Sequence, residues 1–242
     1  MNPSATAARL FRVPVIGRLI QGIYHSGRSV VLNWGAAPFM RRYLRRPGPH
    51  QLHLGAGGAG LSGWLNTDLH PERWPAVRLN ATRLFPLPTG AFDCIFSEHM
   101  IEHLPLDGAR RMLSECFRVL KPGGRLRLAT PDLDRVLRLY ASPDAPPQAE
   151  YLRWAVPYGR HPTDLPPAIV VINSLFHDHG HQFLFDETSL RDLLNLAGFT
   201  DVHRCAPGES DDPQLRGLEI HQKVIGRMAN DYETLVMEAR KP

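Results

Sequence analysis

The sequence predicts an α/β fold, an open and mostly parallel seven-stranded sheet with helices on both faces. Three observations carry this. Gln51-Leu52-His53-Leu54 is a short apolar strand that runs into Gly55-Ala56-Gly57-Gly58, and consecutive glycines let a backbone come close to a ligand where any Cβ would collide. Leu65-Asn66-Thr67-Asp68 is a second strand that closes on a carboxylate. An apolar helix over 113–120 meets Lys121-Pro122-Gly123-Gly124 and restarts as Arg125-Leu126-Arg127-Leu128, a helix, its stop and a strand. A chain of 242 residues with 43% hydrophobic content suffices for one core.

Taken in order, the patterns place strands near 50–54, 64–68, 77–80 and 92–97, with only a short helical turn between the first two. A helix near 107–120, a strand near 124–130 and a helix near 132–141 follow. Residues 142–175 contain Pro143, Pro146, Pro147, Pro157, Pro162, Pro166 and Pro167, which argues against long regular elements. This stretch reads as a cap insertion over about 142–183. Asp186 is placed to cap a helix over 187–197 and Gly198 to end it, before strands near 200–205 and 217–225 in a final antiparallel hairpin.

The order Leu54-Gly55-Ala56-Gly57-Gly58, then Asn66-Thr67-Asp68, then the run at 92–104 (FDCIFSEHMIEHL), then the run at 120–132 (LKPGGRLRLATPD) resembles class I S-adenosylmethionine-dependent methyltransferases. Within them it is similar to the small bacterial methyltransferases associated with polysaccharide and glycan biosynthesis. The resemblance spans about 50–225. It implies a Rossmann-like seven-stranded sheet, S-adenosyl-L-methionine as cofactor, and in-line methyl transfer to oxygen on a sugar, a glycan end or another small polar acceptor. It places Gly55, Ala56 and Gly57 along the methionine portion, Asp68 on the ribose hydroxyls, and Asn80 and Ala81 near the adenine. Ser97 and Glu98 would face the charged amino-acid end or cap the following helix. The chain departs from the family at Asn80, where an aspartate is common, and at His53, where many relatives carry an acid.

A hydroxyl acceptor needs a base. Phe176-His177-Asp178-His179-Gly180-His181 offers three imidazoles at alternate positions, suited to packing, to acid/base or substrate contacts, or to a metal; no metal is assigned. The family's GHxFxxDxxxL pattern matches Gly180 to Leu190 and favours His181 over His177 as the catalytic residue. His99, just past the fourth strand, is a third candidate. After that strand there is no proline pair with an aromatic to clamp a flipped base, so DNA is not expected as a substrate. The spacing of four from Glu98 to Glu102 does not suit a guanidinium clamp.

Charge is unevenly spread. Eight arginines and no acid precede Asp68, giving +8, and the remainder carries −4. Residues 1–47 read as a basic amphipathic arm ahead of a methyltransferase domain at 48–242. Its clearest segment lies between Pro38 and Pro47, where Phe39, Met40, Tyr43 and Leu44 alternate in pairs with Arg41-Arg42 and Arg45-Arg46. Packing of the apolar stripe on the sheet is the favoured reading, followed by contact with an anionic membrane surface and, distantly, nucleic acid. The run from Val13 to Ile23 is broken by Pro14, Gly17, Arg18 and Gly22, and supports neither a membrane span nor a signal peptide. Cys94, Cys116 and Cys205 read as free thiols in a reducing cytoplasm, with peripheral attachment at the inner membrane face as the arm's second reading. The alternative to an enzyme is a non-catalytic cofactor-binding protein of the same fold that docks through its arm. Oligomeric state is left open.

Overall fold

The computed structural model describes residues 36–72, 75–156 and 164–242. The arm's Arg9, Arg12, Arg18 and Arg28 lie outside the described residues. The elements run α1 (Ala36–Leu44), β1 (Gln51–Leu54), β2 (Leu65–Asp68), β3 (Ala76–Arg78), β4 (Phe92–Glu98), a 3-10 turn (Ile101–His103), α2 (Leu106–Val119), β5 (Leu120–Pro131) and α3 (Leu133–Ala141). They continue with α4 (Pro146–Ala155), α5 (Pro167–His177), α6 (Glu187–Leu196), β6 (Thr200–Cys205), α7 (Gln222–Ile225), α8 (Arg227–Glu233) and β7 (Thr234–Arg240). The seven strands form one sheet in the order β3-β2-β1-β4-β5-β7-β6. β7 runs antiparallel to both neighbours, and the other pairs are parallel. This is a Rossmann-like arrangement. The strand order reverses between β1 and β4, which is where an open parallel sheet leaves a crevice beyond its carboxyl ends.

Three sequence expectations are corrected. The proline-rich stretch holds two regular helices, because Pro146, Pro147 and Pro167 fall in the first turns of α4 and α5, where a missing N–H has no partner to lose. The last strand is 234–240 and not 217–225; the latter forms a loop and the short α7, while the run from Thr234 to Ala239 is buried throughout. The crossover from β1 to β2 contains turns and no helical turn. The capped helix stands as expected: Asp186 accepts from Ser189 N at 2.8 Å and Ser189 reciprocates on Asp186 N, a closed capping box. The Lys121-Pro122-Gly123-Gly124 stop is also explained, since a Cβ at Gly124 would lie 2.9 Å from Lys121 O and 3.0 Å from Asp93 O.

The two faces of the sheet are built differently. On one, Leu52, Leu65, Ile95, Leu126 and Ala239 pair across five strands and pack with Met112, Leu113 and Cys116 of α2 and Leu190 and Leu194 of α6. α1 joins this core: Tyr43 is buried and Phe39, Met40 and Leu44 pack beside it, while Arg41, Arg42, Arg45 and Arg46 are exposed. The favoured reading of that helix therefore holds for its described part. A second core joins Val136 and Leu139 of α3 to Tyr151, Leu152, Val171, Leu175 and Tyr232, so the cap is a packed helical layer over the carboxyl ends of β4 and β5.

The other face carries a cross-strand row of Asn66, His53, Phe96, Arg127, Glu238 and His203. Among the described residues it is covered by irregular chain, with Trp64 and Leu61 from one side and Leu215 and Leu218 from the other. Arg127 is fully buried between Glu219 at 2.6 Å and Glu238 at 2.5 Å and also donates to Glu209 O at 2.8 Å. Two of those three partners belong to the 206–220 strap. The three cysteines are free, Cys94 and Cys116 buried and Cys205 partly so; burial pushes the Cys94 thiol up to about 12. No helix among the described residues is long and apolar enough to cross a membrane. Arg127→Met should strand two buried carboxylates and cost about 3–5 kcal/mol, read as a lower midpoint in urea denaturation. A loss below about 1 kcal/mol, the scale of an exposed pair, would show that the strap is not anchored there.

Candidate functional site

The site begins at the end of β1. Gly55 has φ +71°, and a Cβ on it would fall 2.4 Å from Met100 Cγ, so the turn passes directly against the chain leaving β4. Ala56 N donates to Thr67 O at 2.9 Å, and Gly57 N donates to Asp68 Oδ2 at 2.9 Å. Asp68 Oδ1 accepts from His70 N at 2.7 Å. Asn66 Oδ1 accepts from Leu61 N at 2.8 Å and lies 3.1 Å from His53 Nδ1, and the Asn66 amide donates to Leu61 O. Two side chains at the end of β2 thus hold a glycine-rich crossover that has no helix to hold it.

His53 is buried, and burial disfavours the charged form of its ring. Burial lowers its pKa from the ordinary 6.5 by more than Asn66 and Asp68 raise it. The unfolded chain takes up this proton below about pH 6.5 while the folded one resists it. Stability from this group is therefore full above that value and falls as the pH drops toward the folded-state pKa. In urea denaturation between about pH 7.5 and 5.5, His53→Gln should show a shallower acid loss than the native chain; parallel profiles would contradict this.

Two cavities open beyond the strand ends. The smaller, about 150 Å³, lies over the glycine turn and is lined by His53, Gly55, Ala56, Glu98 and Ile220. The larger, about 430 Å³, lies under the cap between Tyr151, Trp154, Val171, Leu175 and Ile225, with His103, His181 and Glu233 as polar members. Both are lined by His99, His221 and Val224, which form the wall between them.

The wall is organised by buried carboxylates. His99 has φ +45°, which only a tightly determined position tolerates in a residue with a Cβ. Its Nδ1 lies 3.3 Å from the fully buried Glu102, which accepts from Thr130 Oγ1 at 3.0 Å. Burial opposes charge on His99, but Glu102, then Glu233 and Glu98, outweigh it and hold its pKa above the usual value. The rings of His99 and His221 meet tilted by 39° with centroids 3.9 Å apart, and His221 Nε2 lies 3.2 Å from Glu233, which also accepts from the Tyr151 hydroxyl. Burial would raise the Glu233 pKa, but the bonds from His221 and Tyr151 hold it below the usual range. His181 Nδ1 lies 2.5 Å from Leu175 O, a contact that fixes the N–H there and leaves Nε2 with the lone pair. Burial lowers its pKa.

Of the sequence-predicted residues, Gly55, Ala56 and Glu98 line the smaller cavity, His181 the larger and His99 both. Glu98 is also committed elsewhere: its carboxylate accepts from Ile220 N and His221 N at 2.9–3.1 Å and thereby sets His221 in place. Ser97 is buried below the turn, its Oγ without a hydrogen-bond partner. Gly57 and Asp68 bond each other beside the turn. Asn80 and Ala81 line neither cavity; Asn80 Oδ1 is taken by Thr82 N and Oγ1, and Ala81 belongs to the core. His177 is exposed at the end of α5 and lines neither cavity, because the segment leaves α5 through a turn and the alternate spacing never becomes a strand. The sequence reading missed His221, Glu233, Tyr151 and Trp154.

Residues 53–128, from β1 to β5, match the family model of the methyltransferase domain. The ubiquinone biosynthesis O-methyltransferase of Xanthomonas oryzae is 40% identical over 136 residues, 47% of this chain and 54% of that protein. An uncharacterised 37.1 kDa protein of transposon Tn4556 from Streptomyces fradiae is 32% identical over 142 residues, 49% of this chain and 38% of that protein. The chain thus matches about half or less of the length of these curated relatives. Among solved structures, a SAM-dependent methyltransferase from Archaeoglobus fulgidus is similar at 16% identity and a TM-score of 0.47, covering 84% of this chain and 92% of that one.

Proposed function

We propose that this protein is an S-adenosylmethionine-dependent methyltransferase that transfers a methyl group to the oxygen of a hydroxyl acceptor. The observation that carries this reading is the pair of cavities meeting at His99, His221 and Val224, one over the glycine turn and one under the cap. Methyl transfer needs that geometry: a sulfonium and a nucleophile approaching in line from two compartments through one opening, with positioning able to supply about 7–11 kcal/mol of the barrier in good cases.

In this reading the methionine portion lies along Gly55 and Ala56, and the cofactor's ammonium pairs with Glu98, which keeps acceptor capacity beyond its two backbone N–H donors. The ribose hydroxyls donate to Asp68, each of whose oxygens accepts one backbone donor and retains a free lone pair. The acceptor occupies the larger cavity. Its aromatic and aliphatic walls suit a ring or chain with an apolar face, and its imidazoles and Glu233 suit the hydroxyl. A sugar or glycan end would stack its apolar face on Trp154 or Tyr151, as would a phenolic ring. The Xanthomonas oryzae relative is named an O-methyltransferase, which supports oxygen as the acceptor atom. The exposed arginines of α1 give the arm a cationic edge suited to an anionic surface.

Calorimetric titration with S-adenosylmethionine should show binding that Asp68→Ala weakens by at least about 10–100-fold, the loss of one charge-assisted bond. Gly55→Val should remove it, because the new side chain meets Met100. Transfer of a labelled methyl group to saccharide or phenolic hydroxyls then reads the acceptor class. No binding by the folded native chain would contradict the proposal and favour a docking protein that keeps only the fold.

A further inference from the structure

We propose that Glu102, His103 and His181 form a binding site for a divalent transition-metal ion, of the zinc or ferrous type, on the wall of the larger cavity. One ligand atom from each lies within 4.8 Å of the other two. Two imidazoles and a carboxylate are a donor set that such ions favour, and three protein ligands leave coordination positions open toward the cavity.

Four features beyond proximity point to a ligand. Glu102 is fully buried, yet its Oε1 makes no hydrogen bond and has only the 3.3 Å ion-pair approach of His99. A buried carboxylate oxygen in that condition is one that a cation would complete. His181 gives its Nδ1–H to Leu175 O, the outer bond that metal-ligating histidines characteristically make, and so presents Nε2. The two ligand segments are tied together by the backbone: Gln182 N and Phe183 N donate to Glu102 O at 2.7 and 3.2 Å, and the Gln182 amide donates to His103 O at 2.6 Å. The rings of His103 and His181 meet edge to face at 5.0 Å.

The neighbouring set of His99, His221 and Glu233 also has its ligand atoms within 4.8 Å, but Glu233 is already occupied on both oxygens, by Tyr151 and His221. Of these two sets, the one with a carboxylate oxygen that makes no hydrogen bond is that of Glu102, whose Oε1 is met only by the His99 ion pair at 3.3 Å. A cation there would lower the pKa of an acceptor hydroxyl and hold its oxygen facing the wall, a use that rests on the methyltransferase reading. The site itself does not.

The full chain, treated with a chelator and dialysed, is titrated with Zn²⁺ by calorimetry and with Co²⁺ by visible absorption. One equivalent should bind, with the Co²⁺ spectrum of a low-coordinate nitrogen and oxygen site. Glu102→Gln and the partly exposed His181→Ala should each weaken Zn²⁺ by more than about 100-fold, beyond the 10–100-fold typical of losing an outer-shell partner. His221→Gln should stay within about threefold, well short of that range. Absence of stoichiometric binding, unchanged affinity in folded His181→Ala, or loss of binding in His221→Gln would each overturn the site. Cofactor titration of the same metal-free protein separates the two proposals: intact cofactor binding without a metal site leaves the methyltransferase reading standing, and metal binding without cofactor affinity removes that reading alone.

Discussion

The buried Arg127 is the interaction on which the arrangement of the site depends. A guanidinium in the middle of a sheet face is costly to desolvate, and it persists only because two carboxylates and a carbonyl surround it. Glu219 and Glu209 O come from the strap over that face, so satisfying the charge fixes the path of residues 206–220. The strap arrives at Glu98, whose carboxylate takes the backbone N–H groups of Ile220 and His221 and leaves the His221 ring against that of His99. A charge at the centre of β5 thereby positions a ring at the end of β4.

The cap solves a second packing problem. α3, α4, α5 and α8 bury their apolar faces against one another rather than on the sheet. The layer stands off from the strand ends and encloses a cavity whose upper walls are cap residues and whose floor is the turn after β4. The buried polar groups of that floor, Glu102 and Glu233, are each met by an imidazole and a hydroxyl. The result is a mostly apolar chamber with its polar atoms concentrated where the two cavities adjoin, the distribution that orients a ligand rather than merely holding it.

Much of the fold was legible because its signals are local. The turn after β1, the carboxylate ending β2, the end of α2 ahead of Lys121-Pro122-Gly123-Gly124 and the Asp186 cap each follow from a few adjacent residues and stand in the structure, although that glycine segment itself is already part of β5. The prolines of the cap misled because their effect depends on position: at a helix start they are harmless, and the sequence alone did not show that a helix began there. β7 was missed for a related reason. Its run of buried residues includes Thr234 and Glu238, and the burial of Glu238 depends on Arg127, far away in the chain. His221 and Glu233 entered the site by the same long-range contacts, whereas His99 and His181 were found because they sit beside a strand end and a patterned motif. Asn80 and His177 were placed by family pattern and spacing, and both lie off the two cavities, Asn80 bonded to Thr82 and His177 exposed at the end of α5.

A crystal structure of the protein with S-adenosylhomocysteine would test the central claim most directly, that the two cavities are donor and acceptor compartments separated by the imidazole wall. The account predicts the ribose on Asp68, the homocysteine along Gly55 and Ala56, and the sulfur facing the larger cavity between His99 and Val224. A ligand bound elsewhere, or bound at the turn with its sulfur pointing away from that cavity, would contradict it.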